Sequence, residues 1–202
     1  MQALFIHGMG RSPLSCWPLL RRLRANGVHA SAFGYLAATQ HFAKTSARLA
    51  TRIAAMAGGD DYVLIGHSLG GVLLRAALAA LPPGTRQPTR VFLLGSPVHP
   101  SRLAIRYRSN PLYLLVTGDC GQLLASEDRM SRIAALSVPT TAILGEQPIR
   151  LTSSQFAGEP NDGIVAAAET QADWIGEEIR VPVMHSFLPG NRRVAELILA
   201  RI

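Results

Sequence analysis

At 202 residues, 48% hydrophobic and only 16% charged, the chain is long enough for one well-buried core and short for two, so a single domain over residues 1–202 is expected. The formal net charge of +7 would suit an anionic partner, yet the positive residues are almost all arginines scattered along the chain. No basic stripe with interleaved aromatics marks a nucleic-acid surface, which excludes nucleic acid as a partner.

No stretch approaches the roughly 18 apolar residues of a membrane span, and MQALFIHGMG lacks the basic n-region of a secretory leader, so a cytoplasmic chain is expected. Cys16 and Cys120 belong to no CxxC or zinc-spaced Cys/His cluster; two buried thiols are expected, and no metal.

In chain order, the apolar run ALFIHG at 3–8 reads as a strand. CWPLLRRLRANG then carries leucines at helical spacing and a glycine stop, and VHASAFGY gives a second strand. A helix from about Thr39 to Met56 leads to the strand DYVLIGHS, and the helix LGGVLLRAALAAL, closed by Pro82 and Pro83, leads to RVFLLGSP. Two later strands, VPTTAILGE and EIRVPVMHS, precede a terminal helix from about Asn191 to Arg201. Continuous apolar strands separated by helices predict an α/β fold of about six mostly parallel strands with helices on both faces. The segment 98–137 breaks this rhythm. It is too long for a simple connection and is the candidate pocket wall or partial lid.

GHSLG at 66–70 fits the G-x-S-x-G turn that lifts a serine hydroxyl above a sheet, and its setting between an apolar strand and an alanine- and leucine-rich helix meets the structural condition for that turn. Ser68 is therefore the candidate nucleophile; the competing role is a plain helix cap. A serine needs a base, and His185 follows the last strand. The base needs an acid, and Asp162 in GEPNDGIV lies between them in chain order, with Glu159, Asp173, Glu146 and Asp119 as fallbacks. The oxyanion of a tetrahedral intermediate needs preset donors, for which the amides of Leu69 and Met9 are the candidates. His7, Gly8, His67 and His99 are placed around the substrate, His7 mainly as a buttress of its loop. Leu112 and Tyr113, with Leu103, Ile105, Leu114 and Leu115, are candidates to face an acyl chain, core packing being the competing role.

Together these segments resemble the α/β-hydrolase superfamily, in particular its small lipases and esterases. FIHGMGRSPLSCWPLLRRLRANG resembles the oxyanion loop and first helix, VLIGHSLGGVLLRAAL the nucleophile elbow, VFLLGSPVHPS the segment after the next strand, and NDGIVAAAET and VMHSF the acid and base motifs. The resemblance implies a minimal α/β-hydrolase fold and hydrolysis of a carboxylic ester by Ser68, His185 and Asp162 through an acyl-enzyme, without a cofactor. His99 and Pro100 depart from the usual small residues of GSPVHPS. A small-molecule ester or lipid is the expected substrate, and arginines beside an apolar cover would give weak peripheral contact with a membrane. The same triad serves thioesterases, acyltransferases and amidases, and a non-catalytic binding module is the alternative from another class.

Overall fold

The computed structural model describes residues 1–156 and 158–202. Six strands, β1 (Gln2–Ile6), β2 (His29–Phe33), β3 (Tyr62–His67), β4 (Arg90–Leu94), β5 (Thr140–Gly145) and β6 (Glu177–Val181), form one sheet in the order β2-β1-β3-β4-β5-β6. Every neighbouring pair is parallel. The helices are α1 (Trp17–Ala25), α2 (Phe42–Ala57), α3 (Leu69–Ala79), α4 (Arg102–Tyr107), α5 (Pro111–Leu124), α6 (Glu127–Ser131) and α7 (Arg192–Leu199). This is the expected α/β architecture, with all strands parallel rather than most.

Strand alternation decides which helices cover which face. Leu4, Ile6, Tyr62, Leu64, Val91 and Leu93 pack against α2, α3 and the buried side of α4–α6. Ala3, Phe5, Val63, Ile65, Phe92 and Leu94 pack against α1 and α7. Both faces are thus covered, which is why the inner strands read as unbroken apolar runs.

From β2 the chain returns to the far side of β1 before building outward through β3 to β6. The order therefore reverses between β1 and β3, and the crevice beyond the carboxyl ends of these strands is where open α/β sheets bind ligands. Tight packing of α3 holds that crevice in shape. A Cβ on Gly70 would run into the carbonyl oxygens of Ile6 and His7, and one on Gly66 would come within 2.5 Å of the Gly71 Cα. Gly70→Ala is expected to destabilise the fold by about 1–3 kcal/mol, because the atoms it meets are backbone and cannot swing away; urea denaturation measures it.

Two features differ from the sequence expectation. Helix α2 begins at Phe42 rather than near Thr39, where the Phe42 N–H donates to Asp119 Oδ2 at 2.9 Å. Its own N-cap residue, His41, supplies no side-chain bond, so a carboxylate from α5 serves instead. Helix α5 is also broken at Gly118 (φ 53°, ψ −144°), where a side chain would press on the carbonyls of Ala37 and Ala38. The break turns the second half of α5 inward, while Leu112 and Leu115 of the first half stay exposed.

Candidate functional site

Ser68 is the one non-glycine residue with positive φ among the described residues, at φ 53° and ψ −126°. Its backbone is pinned from β4: the Ser68 N–H donates to the Leu94 carbonyl at 2.9 Å, and Ser96 Oγ donates to the Ser68 carbonyl at 2.8 Å. Ser68 precedes α3, yet its side chain makes no capping bond. The helix-cap role is thereby removed, and the hydroxyl is left to the cavity it lines. Leu69, as the first residue of α3, has no intrahelical acceptor for its N–H.

His185 lies beyond β6 at the start of a 3-10 turn, His185–Gly190, and is buried. Its Nδ1–H donates to Asp162 Oδ2 at 2.6 Å. The other oxygen, Oδ1, accepts from the Ile164 and Val165 N–H groups at 3.0 and 2.8 Å, and the Asp162 carbonyl accepts from the His185 N–H at 2.9 Å. The carboxylate is therefore fixed by its own turn before it meets the ring. With Nδ1 carrying the proton, Nε2 keeps the lone pair. His185 and Ser68 line the same cavity of about 290 Å³, with Gly8, Met9, Pro97, Leu103, Tyr107 and Val165 among its other walls.

The alpha/beta hydrolase family model matches residues 3–186. The chain belongs to the alpha/beta hydrolase family. Two rice proteins named probable esterase PIR7A, from Oryza sativa subsp. indica and subsp. japonica, are 35% identical over 88 residues, covering 39% of this chain and 34% of theirs, so the match spans about a third of those relatives. The mature lipase BlEst2 of Bacillus licheniformis superposes with a TM-score of 0.72 at 19% identity, over 98% of this chain and 91% of that one. The RedJ thioesterase of Streptomyces coelicolor superposes with a TM-score of 0.65 at 17% identity, over 98% and 83%. These structures share the fold of this chain.

At the site, the loop after β1 is held from behind. His7 is buried, its Nδ1–H donates to the Gly8 carbonyl at 2.9 Å, and its Nε2 accepts from the Tyr35 N–H at 3.4 Å. Tyr35 stacks on the ring at 4.3 Å and donates its hydroxyl to the His7 carbonyl at 2.8 Å. His7 buttresses the loop and does not line the cavity, whereas Gly8 and Met9 do. Tyr113 also lines it. His99 and Leu112, both placed around the substrate on sequence grounds, lie outside: His99 is exposed with Nε2 bonded to the Gln171 carbonyl at 3.0 Å, and Leu112 is 68% exposed at the start of α5. The fallback acids are committed elsewhere or face solvent: Glu159 to Arg102, Glu146 to Arg180, Asp119 to Arg129, with Asp173 exposed.

Three site residues carried no sequence signal of their own. Gly95 (φ 51°) leaves room for the pair, since a Cβ there would stand 2.9 Å from Asp162 Oδ2 and 3.0 Å from His185 Nδ1. Glu169 ties the acid loop to the 98–102 segment, its Oε1 accepting from the Arg102 N–H at 2.9 Å and its carbonyl from the Val98 and His99 N–H groups. Arg11 lines the cavity mouth.

His67 lies against His185. Its Nε2–H donates to the His185 carbonyl at 3.0 Å, and the ring centroids are 4.7 Å apart. Burial first, and then the adjacent His185 ring, hold its imidazole well below the ordinary 6.5; burial also lowers His7. Both rings take up a proton less readily in the fold than in the unfolded chain, where they do so below about pH 6.5. The stability tied to that difference is complete above pH 6.5 and is lost as pH falls, by up to about 1.4 kcal/mol per pH unit for each ring. Glu169 runs the other way: burial raises it from 4.5 to about 7, so its contribution is complete below pH 4.5 and lost as pH rises through 7. Wild type is expected to lose more stability than His67→Phe between pH 7 and pH 5, up to a linkage ceiling of about 2 kcal/mol, read by urea denaturation at each pH.

Proposed function

We propose that the protein is a serine carboxylesterase or lipase in which Ser68 is the nucleophile, His185 the general base and Asp162 the orienting acid. The observation that carries this is the pairing of a strained, uncapped Ser68 with an Asp162-bound His185 on one cavity. Ser68 Oγ attacks the ester carbonyl carbon as its proton passes to His185 Nε2. The amides of Leu69 and Met9 receive the oxyanion. His185 gives the proton to the departing alkoxide, and water then repeats the sequence on the acyl-enzyme, returning the carboxylic acid and the free serine. No cofactor enters this sequence.

The names of the rice relatives and of the Bacillus lipase support an ester as substrate, and the thioesterase RedJ keeps a thioester as the second choice. A panel of p-nitrophenyl esters of increasing chain length, with matched acyl thioesters, decides between them; equal inertness of folded protein toward both would sink the proposal. Gly95→Ala is expected to lower ester turnover by about 10²-fold, because an added methyl displaces the Asp162–His185 pair without altering the chemistry of either residue.

The working compartment is taken to be the cytoplasm, in keeping with two free, buried thiols at Cys16 and Cys120. Among the described residues no helix is long and apolar enough to cross a membrane. Peripheral contact is a separate proposal: Leu112, Leu115 and Val116 are exposed beside the cavity-lining Tyr113, with Arg106 and Arg108 nearby in the chain. Partition onto anionic vesicles is expected to fall in Leu112→Ser/Leu115→Ser protein relative to wild type.

A further inference from the structure

The cavity has one permanent charge. Arg11 is the sole Lys, Arg, Asp or Glu among its lining residues. It follows Gly10, whose φ of +64° turns the chain at the end of the loop after β1. Several other arginines are spent on carboxylates: Arg86 on Asp61, Arg102 on Glu159, Arg129 on Asp119, Arg132 on Asp128 and Arg201 on Glu177. Arg11 has no hydrogen bond, ion pair or ring partner among the described residues. Its charge nonetheless reaches the site, since it adds to the forces that keep the buried His67 neutral.

A guanidinium offers a planar fork of donors matched to carboxylate and phosphate oxygens. Beside an apolar pocket and unpaired, such a fork is able to bind an anion. Its position also says where on the substrate that anion sits. The inner walls, Leu103, Ala104, Leu124 and Val165, are apolar, and burying a charge among them would be costly. Arg11 itself is exposed, at the solvent end. An acyl chain thus suits the inner walls, and a charged group suits the outer end.

We infer that Arg11 determines specificity at this site, and that the ester it favours carries an anionic oxyacid group, phosphate or carboxylate, on the departing alcohol. This rests on the proposal that Ser68 is the nucleophile. No step of the hydrolysis changes; Arg11 adds binding energy and orientation to one class of ester.

The test compares monobutyrin with 1-butyrylglycerol 3-phosphate, which differ by the phosphate. In Arg11→Gln the ratio of kcat/KM for the phosphate ester over monobutyrin is expected to fall about tenfold from the wild-type ratio, chiefly through KM, with Arg11→Lys intermediate. Salt at 0.5 M should shrink the wild-type ratio more than the Arg11→Gln ratio. A third ester, 3-(butyryloxy)propanoate, separates the sources: the same dependence on Arg11 extends recognition to carboxylates, and none confines it to phosphate. An unchanged ratio in Arg11→Gln on both anionic esters overturns the inference, as does an Arg11-dependent preference for monoethyl glutarate, whose charge lies on the acyl side. Binding is read apart from turnover, by calorimetry on Ser68→Ala and Ser68→Ala/Arg11→Gln protein with the intact phosphate ester. About tenfold weaker binding in the double variant supports the anion site even where hydrolysis fails. Turnover of monobutyrin with no difference in binding or ratio leaves the nucleophile assignment standing and removes Arg11 from recognition.

Discussion

Ser68→Gly is expected to make the protein more stable by about 1 kcal/mol while reducing ester turnover on the order of 10⁴- to 10⁶-fold. The two effects share one cause. At φ 53° and ψ −126°, Ser68 holds a backbone conformation that side chains other than hydrogen rarely adopt, at a cost of about 1–3 kcal/mol. Glycine removes that strain and returns part of the gain as extra freedom in the unfolded chain, about 0.5–1 kcal/mol. The strain persists because the turn is held on several sides: by Leu94 and Ser96 through hydrogen bonds, and by the contact of Gly70 with the backbone of Ile6 and His7. Ser68→Ala separates the contributions, since it removes the hydroxyl and keeps the Cβ. It should lose turnover as Ser68→Gly does without the gain in stability. Urea denaturation alongside p-nitrophenyl butyrate hydrolysis reads both quantities, and Ser68→Ala protein that hydrolyses the ester at the wild-type rate would remove Ser68 from the chemistry.

What was legible in the sequence is what local chemistry determines. The sheet could be read because strands covered on both faces must be apolar throughout, and β1, β3 and β4 are. Ser68 could be read because its turn needs small neighbours within five residues. The pairing of Asp162 with His185 could be anticipated from their order after Ser68 and their positions beyond β5 and β6. Interactions between distant segments were not legible. Asp119 looked like a spare acid, but the carboxylate caps α2 from the far side of a helix break, which no pattern around Thr39 could reveal. Leu112 was grouped with Tyr113 as an apolar candidate of the 98–137 segment, yet successive residues on a helix point about 100° apart, and of the two only Tyr113 lines the cavity. Gly95 and Glu169 act through contacts with residues more than 60 positions away along the chain. Arg11 was one arginine among many until the fold placed it on the cavity wall.

Asp162→Asn is expected to lower kcat on the order of 10⁴-fold with the fold intact, and the reason lies in the order in which the carboxylate makes its bonds. Oδ1 accepts two backbone N–H groups, from Ile164 and Val165, inside its own turn. An asparagine must keep an oxygen facing those donors, since turning its NH₂ toward them would oppose donor to donor in a buried site and leave two N–H groups unpaired, at about 1–3 kcal/mol each. The NH₂ is then directed at His185 Nδ1, which has to accept. The ring proton moves to Nε2, so the nitrogen available to the cavity becomes a donor and can no longer take the proton of Ser68. Asp162→Ala fails differently. It frees the tautomer but strips the turn of its acceptor, so it is expected to lose stability as well as turnover. The imidazole nitrogen resonances of His185 distinguish the two cases, with the proton on Nδ1 in wild type and on Nε2 in Asp162→Asn. An asparagine variant with wild-type turnover, or with the Nδ1 proton retained, would mean that Asp162 does not set the tautomer of the base.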